Sequence, residues 1–368
     1  MAIFQQGDPS DIIQRRSKTA GWLMLAFTLV LAGGLAALPA PYVIDNPGPT
    51  YDTLGVVETS QGELELITIT GEETFPTTGE LRLTTVTRTG NPDSLPGWFD
   101  VMAGWFDPTR TVIPVDVAYP PGVTVESNRE AAAIEMQTSQ QEAIAAALTY
   151  VGIPYSSYLV VNQALEDGPS EGILEPDDVI VSASGQIITT VTQLREIIAE
   201  SGVNKPFAIV IQRAGVEEEH EVIPRMSEGP ERMPMIGILV SGRYEFPLDV
   251  DIALENVGGP SAGLMFGLGI VEKLTADDLA AGSVIAGTGT LTASGEVGSI
   301  GGVRHKMHGA LNDGADIFLA PAGNCPDIIG HIPDGLRVIP VATLDEAVES
   351  LLALHAGGTV PRCEDFAG

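Results

Sequence analysis

Apolar and polar positions recur along this chain with three different periods, and each predicts its own kind of element. Thr19 to Ile44 carries no charge at all. At ~1.5 Å per helical residue, Thr19–Leu38 is long enough to cross a bilayer as one helix. Arg15, Arg16 and Lys18 precede it. That order keeps the N-terminus in the cytoplasm and sends everything after Asn46 outside. A cleaved secretory signal, with a small-residue site at Gly34-Leu35-Ala36, is the alternative reading. Asn46-Pro47-Gly48-Pro49-Thr50 reads as an exposed linker or turn.

Alternation of period two predicts strands at Glu63–Thr70 and Glu80–Thr89. Asn91 to Pro121 holds several prolines and glycines with Trp98 and Trp105, and reads as loops and short turns. A helical period takes over at Glu130–Val151, where Ala133, Met136, Ala143, Ile144, Ala147 and Val151 form one stripe. Short strands follow at Tyr158–Val161, Val179–Ala183, Phe207–Arg213 and His220–Pro224, with a helix at Val191–Glu200. From Met233 onward, strands are expected at Ile236–Ser241, Asp249–Leu254, Val284–Gly287 and Asp316–Ala320. Helices are expected at Ser261–Leu274, Val303–Asn312 and Leu344–Leu354. Strands alternating with helices predict an α/β or α+β unit there.

Composition narrows the function. The chain has 368 residues, room for two or three domains. It carries 18 Lys plus Arg against 49 Asp plus Glu, a formal charge of −31. Such a surface repels phosphate backbones and argues against a nucleic-acid partner. No CxxC or HExxH spacing occurs, so no metal or other cofactor is expected. The two cysteines, Cys325 and Cys363, lie on the predicted outside, where a disulfide would persist. One bridge and two free thiols both fit the sequence.

Two short segments carry chemistry. Gly258-Gly259-Pro260-Ser261-Ala262-Gly263 precedes an apolar helix. The unpaired N–H groups and dipole of a helix start can stabilise an oxyanion, although serine is also an ordinary N-cap residue. Lys306 is one of only four lysines and follows the pair Gly301-Gly302. It reads either as a solvated residue on a helix face or as a buried amine. Burial favours the neutral amine, and moving a lysine from ~10.4 to near neutrality costs about 4–5 kcal/mol. A neutral Lys306 is a base able to take the proton of Ser261.

Residues 150–225 resemble a PDZ domain. The resemblance rests on Gly168-Pro169-Ser170-Glu171-Gly172, then Leu174-Glu175-Pro176-Asp177-Asp178-Val179-Ile180, then Ser184-Gly185 before a helix. Such domains usually have Ala where Ser170 stands and Gly where Asp177 stands. The resemblance implies capture of an extended peptide, and the loop holding Gly152, Ile153, Pro154 and Tyr155 is the expected carboxylate-binding site.

Residues 233–354 resemble the proteolytic domain of the Lon family. Gly259-Pro260-Ser261-Ala262-Gly263 matches its serine motif. Thr288-Gly289-Thr290, followed by Gly295-Glu296-Val297-Gly298-Ser299-Ile300-Gly301-Gly302-Val303-Arg304-His305-Lys306, matches its lysine motif. The resemblance implies a Ser-Lys dyad of Ser261 and Lys306, with Gly259, Pro260 and Ala262 shaping the turn and Thr288 orienting the lysine. It departs from the family at Gly258, where an acidic residue often stands. No Gly-x-x-x-x-Gly-Lys-Ser/Thr occurs, so the family's ATPase motor is not expected.

The whole order resembles bacterial membrane-anchored, PDZ-containing Lon-like proteases of the actinobacterial branch. The resemblance implies an α+β chain: cytoplasmic tip and transmembrane helix (1–44), a β-containing region and helix (45–149), PDZ domain (150–225) and Lon-type domain (226–368). The 45–149 strands are expected to complete the protease domain. The implied activity is extracytoplasmic, ATP-independent endoproteolysis of unfolded or misassembled proteins, with the PDZ domain capturing substrate or gating the site. A homo-oligomer is expected by analogy. Two alternatives remain at this stage: a non-catalytic envelope PDZ scaffold, and an α/β-hydrolase using Ser261 with Asp316 and His331 or His355.

Overall fold

Strands from both ends of the chain build one sheet. In a computed structural model, which describes residues 20–31, 33–34, 38–60, 62–227 and 232–366, that sheet has six strands. Their order is Arg337–Val341, Ile317–Pro321, Val284–Gly287, Glu80–Thr89, Tyr42–Asp52 and Thr111–Pro114. The first four run parallel and the last two pair antiparallel. Every residue of Ile317–Pro321 is buried, as expected of a parallel strand covered on both faces.

Alternating side chains separate two cores. Ile285, Leu319 and Ile339 pack with the helices Gly263–Leu274, Val125–Val151 and Leu344–His355. Ala286, Phe318 and Ala320 pack with the helix Val303–Asn312. The helix after Ser261 and the helix bearing Lys306 therefore cover opposite faces of one sheet. They meet where the strand Val284–Gly287 ends and its neighbour Glu80–Thr89 continues.

The expected exposed linker at 46–50 is instead part of the strand Tyr42–Asp52. Its prolines sit at a register shift between Pro47 and Thr50, which is where a sheet tolerates residues lacking an N–H. Gly309 lets the helix Val303–Asn312 come close to this strand. A Cβ on Gly309 would lie 2.7 Å from the Gly48 carbonyl oxygen. The lysine helix thus rests almost backbone to backbone on this strand.

Three other expectations change. The run Glu63–Thr70 breaks into a hairpin strand Gly62–Glu65 and a second strand Ile67–Thr70, which pairs with Asp249–Ile252. The supposed loops of 91–121 contain the helix Trp98–Phe106 and the edge strand Thr111–Pro114. The long helix starts at Val125 rather than Glu130, because Thr124 and Ser127 cap each other reciprocally.

A second sheet has the order Val216–Val222, Phe207–Arg213, Val179–Ala183, Ser156–Ala164 and Ile238–Glu245. The helix Val191–Ser201 closes over it, and the two share a separate core. The strand around 236–241 belongs to this sheet, paired with Ser156–Ala164, and not to the chain that follows it. Alternation revealed the strand but could not name its partner. Asp177, where the resembled domains carry glycine, has φ +70°, a conformation that Asp tolerates better than most residues. Ser170 is buried and donates to the Ile236 carbonyl at 2.6 Å.

Residues 20–31 and 33–34 are helical and exposed. Among the described residues, no helix is long and apolar enough to cross a membrane. The expected span 19–38 includes Thr19, Ala32 and residues 35–37, which lie outside the described residues.

Candidate active site

The serine turn is gripped by the long helix at two points. Gly259 N–H donates to the Ala132 carbonyl at 2.9 Å, and the buried Ser139 hydroxyl donates to the Pro260 carbonyl at 2.9 Å. A Cβ on Gly258 would stand 2.7 Å from that of Ala132, so an acidic residue has no room there. The departure from the resembled motif thus has a steric cause. Ala262 caps the helix Gly263–Leu274, and Ser261 lies just before it. Among the described residues, neither the Ser261 nor the Ala262 N–H has a protein partner. Two adjacent donors at a helix start are thereby left for a ligand.

Lys306 Nζ lies 2.6 Å from Ser261 Oγ and 2.8 Å from Thr288 Oγ1. Thr288 is fully buried and donates its single hydroxyl hydrogen to the Ser261 carbonyl at 2.9 Å. Its oxygen can therefore only accept from Lys306. A neutral amine has one lone pair and two hydrogens. With one hydrogen committed to Thr288, the lone pair can take the Ser261 O–H. Gly289 N–H makes a second bond to the Ser261 carbonyl, also 2.9 Å, and fixes the turn against the end of the strand Val284–Gly287.

Burial alone lowers the Lys306 pKa, to about 7. The comparison within this protein is Lys273, which is also buried but pairs with Glu65 at 2.8 Å and donates to the Ile67 carbonyl at 2.6 Å. Lys306 has no carboxylate partner among the described residues. One lysine is held as an ion pair, the other is held ready to be neutral.

A cleft of about 450 Å³ opens over the dyad. One wall is the strand segment Thr84–Arg88, the other is Asn256–Gly258, and Met136 reaches in from the long helix. Ser139, Ala132 and Thr84–Arg88 were missed as site residues by sequence reasoning. Ser139 had a signal, as a lone hydroxyl among Met136, Ala143 and Ile144 on a buried stripe.

Gly152, Ile153, Pro154 and Tyr155, the expected carboxylate-binding loop, are not among the residues that line the second sheet's groove. Gly152 ends the long helix in a left-handed conformation, and Ile153 and Tyr155 pack against the main core. The groove of the second sheet instead runs between Val191, Leu194 and Ile198 of its helix and the strand at Ile238–Val240. The strand Ile238–Glu245 is the sheet's edge there. The histidines of the alternative hydrolase are occupied elsewhere. The rings of His331 and His355 meet the carbonyls of Ile329 and Leu279, and Asp316 is exposed. Cys325 and Cys363 are bonded to each other, with Cα atoms 5.0 Å apart.

With this geometry in view, similarity to known proteins becomes informative. Residues 255–354 match the family model of the Lon protease (S16) C-terminal proteolytic domain. That segment is a Lon-type serine peptidase domain. The chain is 39% identical over 98 residues to Lon protease of Azospirillum brasilense, covering 26% of this chain and 12% of that protein. Archaeal Lon protease of Thermococcus kodakarensis is 26% identical over 191 residues, 48% of this chain and 29% of that one. The matches span less than a third of either relative. Among solved structures, the PDZ domain of the SdrC-like protein from Listeria innocua is 25% identical with a TM-score of 0.21, covering 23% of this chain and 92% of that one.

Proposed function

We propose that this protein is a membrane-tethered serine endopeptidase that works outside the cytoplasm without ATP. The observation that carries the catalytic part is the 2.6 Å approach of a buried Lys306 amine, with no carboxylate partner among the described residues, to Ser261 Oγ. Lys306 takes the Ser261 hydrogen as Oγ bonds to the peptide carbonyl carbon. The Ser261 and Ala262 N–H groups receive the developing oxyanion. Lysinium then returns the proton to the departing amine as the C–N bond breaks, leaving an acyl-enzyme. Water, deprotonated by the same amine, releases the acid and restores both side chains.

Extended segments of unfolded proteins are the substrates that a cleft walled by an open strand accepts. The groove beside Ile238–Val240 supports a second role, peptide capture by strand addition. Arg15, Arg16 and Lys18 ahead of an uncharged stretch support the tether and its direction. The Cys325–Cys363 bridge supports an oxidising compartment.

The test is cleavage of a denatured protein by the full chain in nucleotide-free buffer. Ser261→Ala and Lys306→Met are each expected to lower the rate roughly 10⁴-fold or more. Undiminished cleavage by Ser261→Ala would reject the assignment.

A further inference from the structure

The helix Trp98–Phe106 has nine residues and a single charge, Asp100. Val101 and Gly104 face inward, against the strands Tyr42–Asp52 and Thr111–Pro114. The opposite face is also apolar. Phe106 is 89% exposed, Trp105 54% and Phe99 51%. A helix with an apolar outer face opposite its buried one is normally covered there too, and nothing among the described residues covers this one.

The same helix is stitched to the end of the uncharged N-terminal stretch. Pro39 bridges Gly97, and Ala40 N–H donates to the Pro96 carbonyl at 2.8 Å. Tyr42 then packs edge-on to Trp98 and Trp105, with ring centroids 6.0 and 5.8 Å away. The chain therefore leaves its apolar stretch at the level of an exposed aromatic cluster.

We propose that this face sits in the interfacial layer of the lipid bilayer, with Trp105, Phe99 and Phe106 among the headgroups. Trp and other amphipathic rings favour that layer. The proposal rests on the tethered reading above. It adds that the catalytic body does not hang free from a linker but is held at a fixed height and orientation on the membrane.

The protein's three tryptophans make the two ideas separable. The full chain is reconstituted in phosphatidylcholine vesicles with or without lipids brominated near the headgroup or deep in the acyl chain. In Trp22→Phe only Trp98 and Trp105 report. Their emission is expected to shift to the blue and to fall by roughly half with the shallow quencher. In a W98F/W105F chain only Trp22 reports, and because it lies about 4–5 Å inside one end of the expected span, quenching chiefly by the shallow quencher is expected from the tether. Quenching of Trp22 without any effect on Trp98 and Trp105 would overturn the seating and leave the tether. Quenching of neither would overturn both. A blue shift that follows protein concentration instead of lipid would seat a second copy on the face and also overturn the proposal. Phe106→Ser in the Trp22→Phe background, folded by circular dichroism, is expected to lose most of the quenching.

Discussion

Ala132 and Gly258 touch so closely that the second position excludes any side chain. The Cβ of Ala132, in the long helix, would lie 2.7 Å from a Cβ at 258. The adjacent bond from Gly259 N–H to the Ala132 carbonyl locks the contact. Gly258→Ala is expected to lose about 1–3 kcal/mol of stability by overpacking and roughly tenfold in kcat by moving Ser261. Adding Ala132→Gly should restore part of the activity, because it removes the closest of the clashing atoms. A double variant no better than the single one, in peptidase assays and thermal melts, would mean the clash is not the cause.

Thr288 holds the dyad's polarity by donating to the Ser261 carbonyl and accepting from Lys306. Thr288→Val keeps the shape and removes both bonds. We expect kcat to fall roughly 10–100-fold with KM little changed, and Thr288→Ser to retain most activity. A rise in KM at constant kcat would argue against a positioning role.

The pH profile follows from Lys306. Its pKa in the fold is about 7 against an ordinary 10.5, so the base form dominates only above about 7. The kcat/KM of the free enzyme should rise through that pH and level off above it. Lys306→Arg, whose guanidinium stays charged, is expected to be inactive at every pH. The same shift affects folding. The unfolded chain binds this proton more tightly, so this lysine's contribution to stability grows as pH rises from about 7 to 10.5. Below about 7 the full penalty, about 5 kcal/mol, is present.

Glu272 titrates with the opposite sign. It is buried on the helix after Ser261, and burial raises its pKa from 4.5 to about 7. The penalty for ionising it grows as pH rises between those values and reaches about 3 kcal/mol above them. Glu272→Gln should raise Tm at pH 8 and have little effect at pH 4. Equal shifts at both pH values in calorimetry would show that packing, and not charge, is at work.

Reduction of Cys325–Cys363 opens a loop spanning 38 positions. The chain-entropy account gives about 4 kcal/mol for such a loop. Cys325→Ala with Cys363→Ala should lower Tm in non-reducing buffer to the value that reductant produces in the wild type. Both cysteines share a core with Val303 and Met307 of the helix that carries Lys306, so peptidase activity below the melting range should fall modestly and not vanish.

Much of this architecture was legible from residue patterns. The helix Val303–Asn312 and the strand Phe207–Arg213 have the ends that their periodicity predicted. The glycine-rich settings of Ser261 and Lys306, and the Lon-family motifs they resemble, carried the expectation of a dyad. Partners were less legible, because a half-buried strand advertises its faces and not its neighbours. Ile238–Glu245 and Ile67–Thr70 both pair across long stretches of chain. Composition misled at 46–50, where two prolines looked like a linker but sit at a bulge. It also misled at 91–121, where local breakers hid a nine-residue helix. The clamp by Ala132 and Ser139 could not be read at all, since it depends on how two distant segments cross.

Ser156 and Glu245, where the chain enters and leaves the second sheet, are register partners. The intervening polypeptide is therefore a closed detour whose departure and return share one doorway. Excising it and joining the doorposts with a tight turn would leave the first sheet's hydrogen-bond ladder whole. The groove at Ile238–Val240 and the Ser261–Lys306 pair therefore sit on opposite sides of that doorway, and a different domain grafted at the socket should leave the pair's geometry unchanged.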